Sequence, residues 1–98
     1  MNIGQGRQTV TTNGTAVALG AQQRCHTLVI SAEDNNTEPI TVGGYGVIGA
    51  QATRQGTPIS PVATDNLERT ITLYDVDLAR VFIDSVVDTE GVTFSYTY

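Results

Sequence analysis

From Val92 to the last residue the chain alternates without a break. Val92, Phe94, Tyr96 and Tyr98 fall on one side, and Thr93, Ser95 and Thr97 on the other. Only an extended strand, whose side chains point to opposite faces in turn, separates such a sequence into an apolar and a hydroxyl face. Residues 69–74 repeat the pattern, with Ile71 and Leu73 against Thr70, Thr72 and Tyr74. No window sustains the 3.6-residue period of an amphipathic helix. Thr and Val, stiff at χ1 and suited to a pleated surface, recur throughout. The expected fold is therefore all-β.

Turn signals recur at the intervals of a sandwich or barrel. Strands are expected over about residues 8–12, 15–19, 24–32, 40–42, 47–48, 69–74, 81–87 and 92–98. Asn13-Gly14 marks a hairpin between the first two, and Asp88-Thr89-Glu90-Gly91 another before the last. The continuous run Leu28-Val29-Ile30 reads as a central strand covered on both faces. Residues 49–66 hold Gly49, Gly56, Pro58 and Pro61 and suit a crossover between two sheets. Residues 1–8 read as a polar, flexible N-terminal arm, and residues 9–98 as a single domain. The resulting expectation is an antiparallel β-sandwich, jelly-roll-like, of about seven to eight short strands.

Charge narrows the function. Ten Asp and Glu against five Arg, with no Lys, give a formal net charge of −5. Nucleic-acid binding needs a basic footprint, and Arg7, Arg24, Arg54, Arg69 and Arg80 are scattered singly. No stretch has the length of a membrane span or the apolar core of a signal peptide, so neither nucleic acid nor membrane is an expected partner. One cysteine, Cys25, excludes an intrachain disulfide. Without that staple, association with further copies is one source of stability for so small a domain.

Catalytic chemistry finds little footing. Cys25 and His26 are adjacent, so on a strand the thiol, with a buried setting, and the half-buried imidazole face apart. The acidic stretches 33–38 and 84–90 lack the spacing of a calcium loop and read as solvated turns. Gly43-Gly44-Tyr45-Gly46 lacks the Lys-Ser/Thr and the helix of a phosphate-binding loop. No catalytic residue, cofactor or metal ligand is assigned, and the chain is expected not to be an enzyme.

What remains is surface. Strands rich in Thr and Val, with no lysine at their edges, favour pairing with other chains. Tyr96 and Tyr98 are either core residues or interface anchors. Tyr45, at the Gly-rich bend, is the one exposed aromatic suited to stacking on a sugar ring. The interface candidates are Ile3, Arg7, Tyr45, Tyr96 and Tyr98.

Several segments together carry a resemblance. They are Arg24-Cys25-His26-Thr27-Leu28-Val29-Ile30-Ser31-Ala32, then Thr41-Val42-Gly43-Gly44, then Gly56-Thr57-Pro58-Ile59-Ser60-Pro61. Asp77-Leu78-Ala79-Arg80-Val81-Phe82-Ile83-Asp84 and Asp88-Thr89-Glu90-Gly91-Val92-Thr93-Phe94-Ser95-Tyr96 complete the set. In this order the chain resembles the small virion proteins of tailed bacteriophages. The resemblance covers the chain from about Thr9 onward and rests on turns and strand pattern, with no signature residue. It implies a β-sandwich or jelly-roll module of the virion, assembled in the host cytoplasm. It also implies self-association about a symmetry axis, as a trimer or pentamer, and docking on a major capsid or tail protein as a decoration, cement or spike- or fibre-base subunit. The alternative is a carbohydrate- or receptor-binding sandwich that uses the loops at one end.

Overall fold

The computed structural model describes residues 1–98 and contains eight strands and three short 3-10 turns. The strands are β1 (Ile3–Val10), β2 (Val17–Ala18), β3 (Arg24–Ala32), β4 (Ile40–Gly43), β5 (Thr57–Ile59), β6 (Thr70–Asp77), β7 (Phe82–Ser85) and β8 (Glu90–Thr97). They form two four-stranded antiparallel sheets, in the orders β1-β8-β3-β6 and β2-β7-β4-β5. The fold is all-β and sandwich-like. Leu28, Ile30, Val92 and Phe94 from the first sheet share one apolar cluster with Ile40, Val42, Ile59 and Ile83 from the second. Burying each such side chain contributes roughly 1.5–3 kcal/mol.

The alternating segments behave as their pattern requires. Val92 and Phe94 are buried while Thr93 and Ser95 are exposed, and Ile71 and Leu73 are covered while Thr70, Thr72 and Tyr74 are not. Other expectations need correction. Residues 3–8 are no free arm. They form most of β1, an edge strand, because every residue from Ile3 to Val10 finds a partner in β8, from Thr97 back to Glu90. Pairing with a strand 80 or more residues away leaves no local trace in the sequence. Neither expected hairpin forms: β1 and β2, and β7 and β8, lie in different sheets, so Asn13-Gly14 and Asp88–Gly91 carry the chain between layers. Within 49–66 the segment Thr57–Ile59 is a strand against β4, whereas residues 47–48 make only an isolated bridge from Ile48 to Gln55.

β3 is central but not covered on both faces. Val29 is exposed on the outer side, which this sheet presents to solvent. Alternation also slips on this strand. Cys25 is buried, His26 is exposed rather than half-buried, Thr27 is directed outward to Thr97, and Leu28 is buried again. β6 slips in step: Tyr74 and Asp75 are both exposed, Asp75 sits at φ 52°, and Val76 turns back against Cys25. Because both strands change phase together, the ladder skips only His26 and Asp75 and resumes in the same register at Cys25–Val76 and Arg24–Asp77.

Two glycines make room for aromatic rings. A Cβ on Gly4 would lie 2.4 Å from the Tyr96 ring, and one on Gly6 2.6 Å from the Phe94 ring. Each glycine stands opposite its aromatic in the β1–β8 register, so the rings lie across the bare backbone.

The acidic stretches 33–38 and 84–90 are not uniformly solvated. Asn36, Asp84 and Glu90 are buried. Glu90 accepts from the backbone N–H groups of Thr37 and Glu38 and from the Thr37 hydroxyl. Asn36 exchanges two hydrogen bonds with the backbone of Gly91. These side chains supply acceptors and donors that loop backbone otherwise lacks once it leaves water.

Candidate functional site

Four of the candidate residues lie on β1 and at the end of β8, Ile3 and Arg7 on the outer face of the sheet and Tyr96 and Tyr98 on the inner. Ile3 opens β1 and is 74% exposed. Tyr96 and Tyr98 flank Thr97, the residue across from Ile3, at the end of β8, where Phe94, Tyr96 and Tyr98 form a ladder of rings. Successive centroids are 6.2 and 5.6 Å apart. Phe94 belongs to the core, Tyr96 packs against it, and Tyr98 emerges into solvent. Arg7, further along β1, donates from Nε to Glu33 Oε2 at 2.8 Å.

Tyr45 belongs to a different surface. It lies in the loop after β4, is 87% exposed, and meets Phe82 edge to face at 5.6 Å. Together with Gln22, Asp77, Ala79 and Arg80 the two rings line an open cavity of about 550 Å³. The strand directions bring these residues together. The loops leaving β2, β4 and β6 all emerge at the end where Phe82 begins β7. Gln22, Asp77 and Arg80 were not legible as site residues, because over 20 residues separate each loop from the next and no spacing links them. Chemically the cavity offers an aromatic wall, a carboxylate, a guanidinium and an amide.

Asp77 is held in place. Its Oδ1 accepts from Ala79 N at 2.9 Å and from Gln23 N at 3.1 Å. The Ala79 bond foremost, then the Gln23 bond and the charges of Arg80 and Arg24, hold its carboxyl below the usual range against some desolvation. Asp88 is lowered likewise by the backbone and side-chain N–H groups of Asn13. A depressed folded-state pKa gives stability that is present above the unfolded value and lost as pH falls through the folded one. Acid titration of thermal stability should therefore fall off below about pH 4. Asp77→Asn should flatten the low-pH limb, and an unchanged limb in both Asp77→Asn and Asp88→Asn would refute this assignment.

Cys25 is buried and His26 exposed, so the two side chains face apart. The Cys25 thiol is buried, its Sγ donates to Gln23 O at 3.3 Å, and burial first, then the charge of Asp77, push its pKa up. Such a thiol stays protonated and sheltered. Maleimide should label it in the native protein only at the rate of global unfolding, and with one equivalent at once in denaturant. Rapid native labelling is the contrary result. Nowhere do three or more His, Cys, Asp or Glu side chains converge as a metal-binding group, and no helix is long and apolar enough to cross a membrane.

The first sheet is open at both ends. β1 and β6 are its edge strands, and its outer face is lined with small hydroxyls: Thr27, Ser31, Thr70, Thr72, Thr93, Ser95 and Thr97. Comparison with protein-family models, curated proteins and solved structures finds no match to this chain.

Proposed function

We propose that this chain is a non-enzymatic structural virion protein of a tailed phage or phage-like particle. In this reading it self-associates and docks on a capsid or tail protein as a decoration, cement or spike- or fibre-base subunit. The observation that supports the reading is the strand order. β1 pairs with β8, β2 with β7, β3 with β6 and β4 with β5, as if one long antiparallel ribbon, with its tip at β4–β5, were rolled up into two sheets. That order supports reading the sandwich as a jelly roll, an architecture shared by viral capsid domains and lectins. Because a fold by itself does not specify function, the free edges of the first sheet carry the self-association part of the reading. An antibody against the chain should decorate intact particles from a culture that produces it. Finding the protein only in particle-free fractions would overturn the reading.

The Tyr45 cavity favours a second function, carbohydrate or receptor binding. A pyranose stacks on an exposed aromatic ring while carboxylate, guanidinium and amide groups take its hydroxyls. Glycan-array binding that is lost in Tyr45→Ala would support it, and an empty array with the wild-type chain removes it.

A further inference from the structure

The two open edges of the first sheet match each other. On β1, Asn2 N–H donates to Tyr98 O at 2.7 Å and Tyr98 N–H to Asn2 O at 2.9 Å. Antiparallel pairs alternate between bonded and non-bonded, so Gly4, Gly6 and Gln8 spend their backbone groups on β8. Ile3, Gln5 and Arg7 direct theirs to the open side. On β6 the bond from Ala32 N to Arg69 O, 2.9 Å, sets the opposite count. Ile71 and Leu73 bond to β3, and Thr70, Thr72 and Tyr74 direct their backbone groups outward. All six of these residues also place their side chains on the outer face. β1 and β6 run in opposite directions, since each strand of the sheet is antiparallel to the next.

We infer that β6 of one copy pairs with β1 of the next, extending the antiparallel sheet head to tail, with Ile3 opposite Tyr74, Gln5 opposite Thr72 and Arg7 opposite Thr70. The inference rests on the self-association proposed above and names its interface. Direction, hydrogen-bonding phase and side-chain face all agree for this pairing. The register sets Ile3 against Tyr74, 74% and 67% exposed, two of the large apolar side chains left in water by the isolated chain. A two-fold β1–β1 pairing is also antiparallel, but it sets Ile3 against Arg7 and leaves the β6 edge and Tyr74 uncovered. A head-to-tail contact uses both edges and closes into a ring where the rotation allows.

Proline separates the interface from the fold, because at Gln5 or Thr72 the N–H it removes is one that the isolated chain leaves unpaired, and an edge strand tolerates its ring. Sedimentation of the full chain across the micromolar range should show an oligomer, with Gln5→Pro and Thr72→Pro each weakening it at least about ten-fold. Circular dichroism and a cooperative melt establish that each variant is folded. Ile3→Lys and Tyr74→Lys, which charge the same edges, provide a second route if a proline variant does not fold. Mixing the two proline variants is the decisive arm. Each retains one competent edge of opposite type, so the mixture should form a heterodimer and stop there. Wild-type oligomers that persist in both proline variants, or loss in Gln5→Pro alone, would overturn this pairing while leaving self-association intact. A wild-type chain that remains monomeric would remove the self-association reading itself.

Discussion

Asp84→Ala should lower the free energy of unfolding by about 2–5 kcal/mol, a large part of what a domain of this size possesses. Asp84 is 2% exposed and serves three backbone donors from three segments. Oδ1 accepts from Gly14 N at 3.1 Å and from Ser85 N at 2.9 Å, and Oδ2 accepts from Gly49 N at 2.8 Å. Gly14 N also reaches Ser85 O, so it keeps a partner when the carboxylate is lost. Ser85 N and Gly49 N do not, and each buried orphan costs about 1–3 kcal/mol. The effect is mechanical as well. The carboxylate ties the chain after β1 and the loop after β4 to β7, so its loss should loosen both. Asp84→Asn retains one acceptor oxygen but turns an amide toward a donor, and should fall between alanine and wild type. Urea midpoints at constant slope measure the series. An alanine variant with an unchanged midpoint would mean that water replaces the carboxylate at no cost.

Gly91→Ala should be nearly as damaging, by overpacking rather than by loss of a bond. A Cβ at Gly91 would stand 2.1 Å from Gln8 O and 2.8 Å from Thr9 Cα. Both atoms are backbone in the paired strand, so no side chain is available to swing aside. Relief requires β1 and β8 to part where Gly91 faces Thr9, which also strains the two hydrogen bonds from Asn36. A loss of at least about 3 kcal/mol follows, lowering the melting temperature by more than about 10 °C. Gly46→Ala is the control: no heavy atom lies within 4 Å of its added methyl, and the melt should barely move. Equal melting of the two variants would show that the strands separate freely at that point. Since β1 is one of the two edges proposed to join copies, a folded Gly91→Ala chain should also assemble less well.

Local pattern made much of the β framework legible. The hydroxyl and apolar faces of residues 92–98 and 69–74 follow from period two alone, and so does the separation of Cys25 from His26 within one strand. Where local pattern and structure differ, the deciding partner is distant. The first strand extends back to Ile3 because β8 is there to receive it, and Gly4 and Gly6, which look like flexible punctuation, are the seats of Tyr96 and Phe94. Asp84, Glu90 and Asn36 look like turn chemistry, yet folding buries them against backbone donors and acceptors of other loops. Turn residues at 13–14 and 88–91 announce that the chain reverses. They carry no information on whether it returns beside its own strand or crosses to the other sheet.

The sequence by itself thus determined the strand character of the chain, which residues of 69–74 and 92–95 face inward, and the lack of a basic track or a cysteine pair. These properties depend on neighbours one or two positions away, where side-chain direction is set by backbone geometry. Tertiary structure alone decided the pairing of β1 with β8 and the gathering of Gln22, Tyr45, Asp77 and Arg80 around one cavity. It alone set the phase in which the edges of β1 and β6 present their unpaired backbone groups. These depend on which distant strands meet and in what register, and that is settled by the burial of a shared core rather than by any local signal.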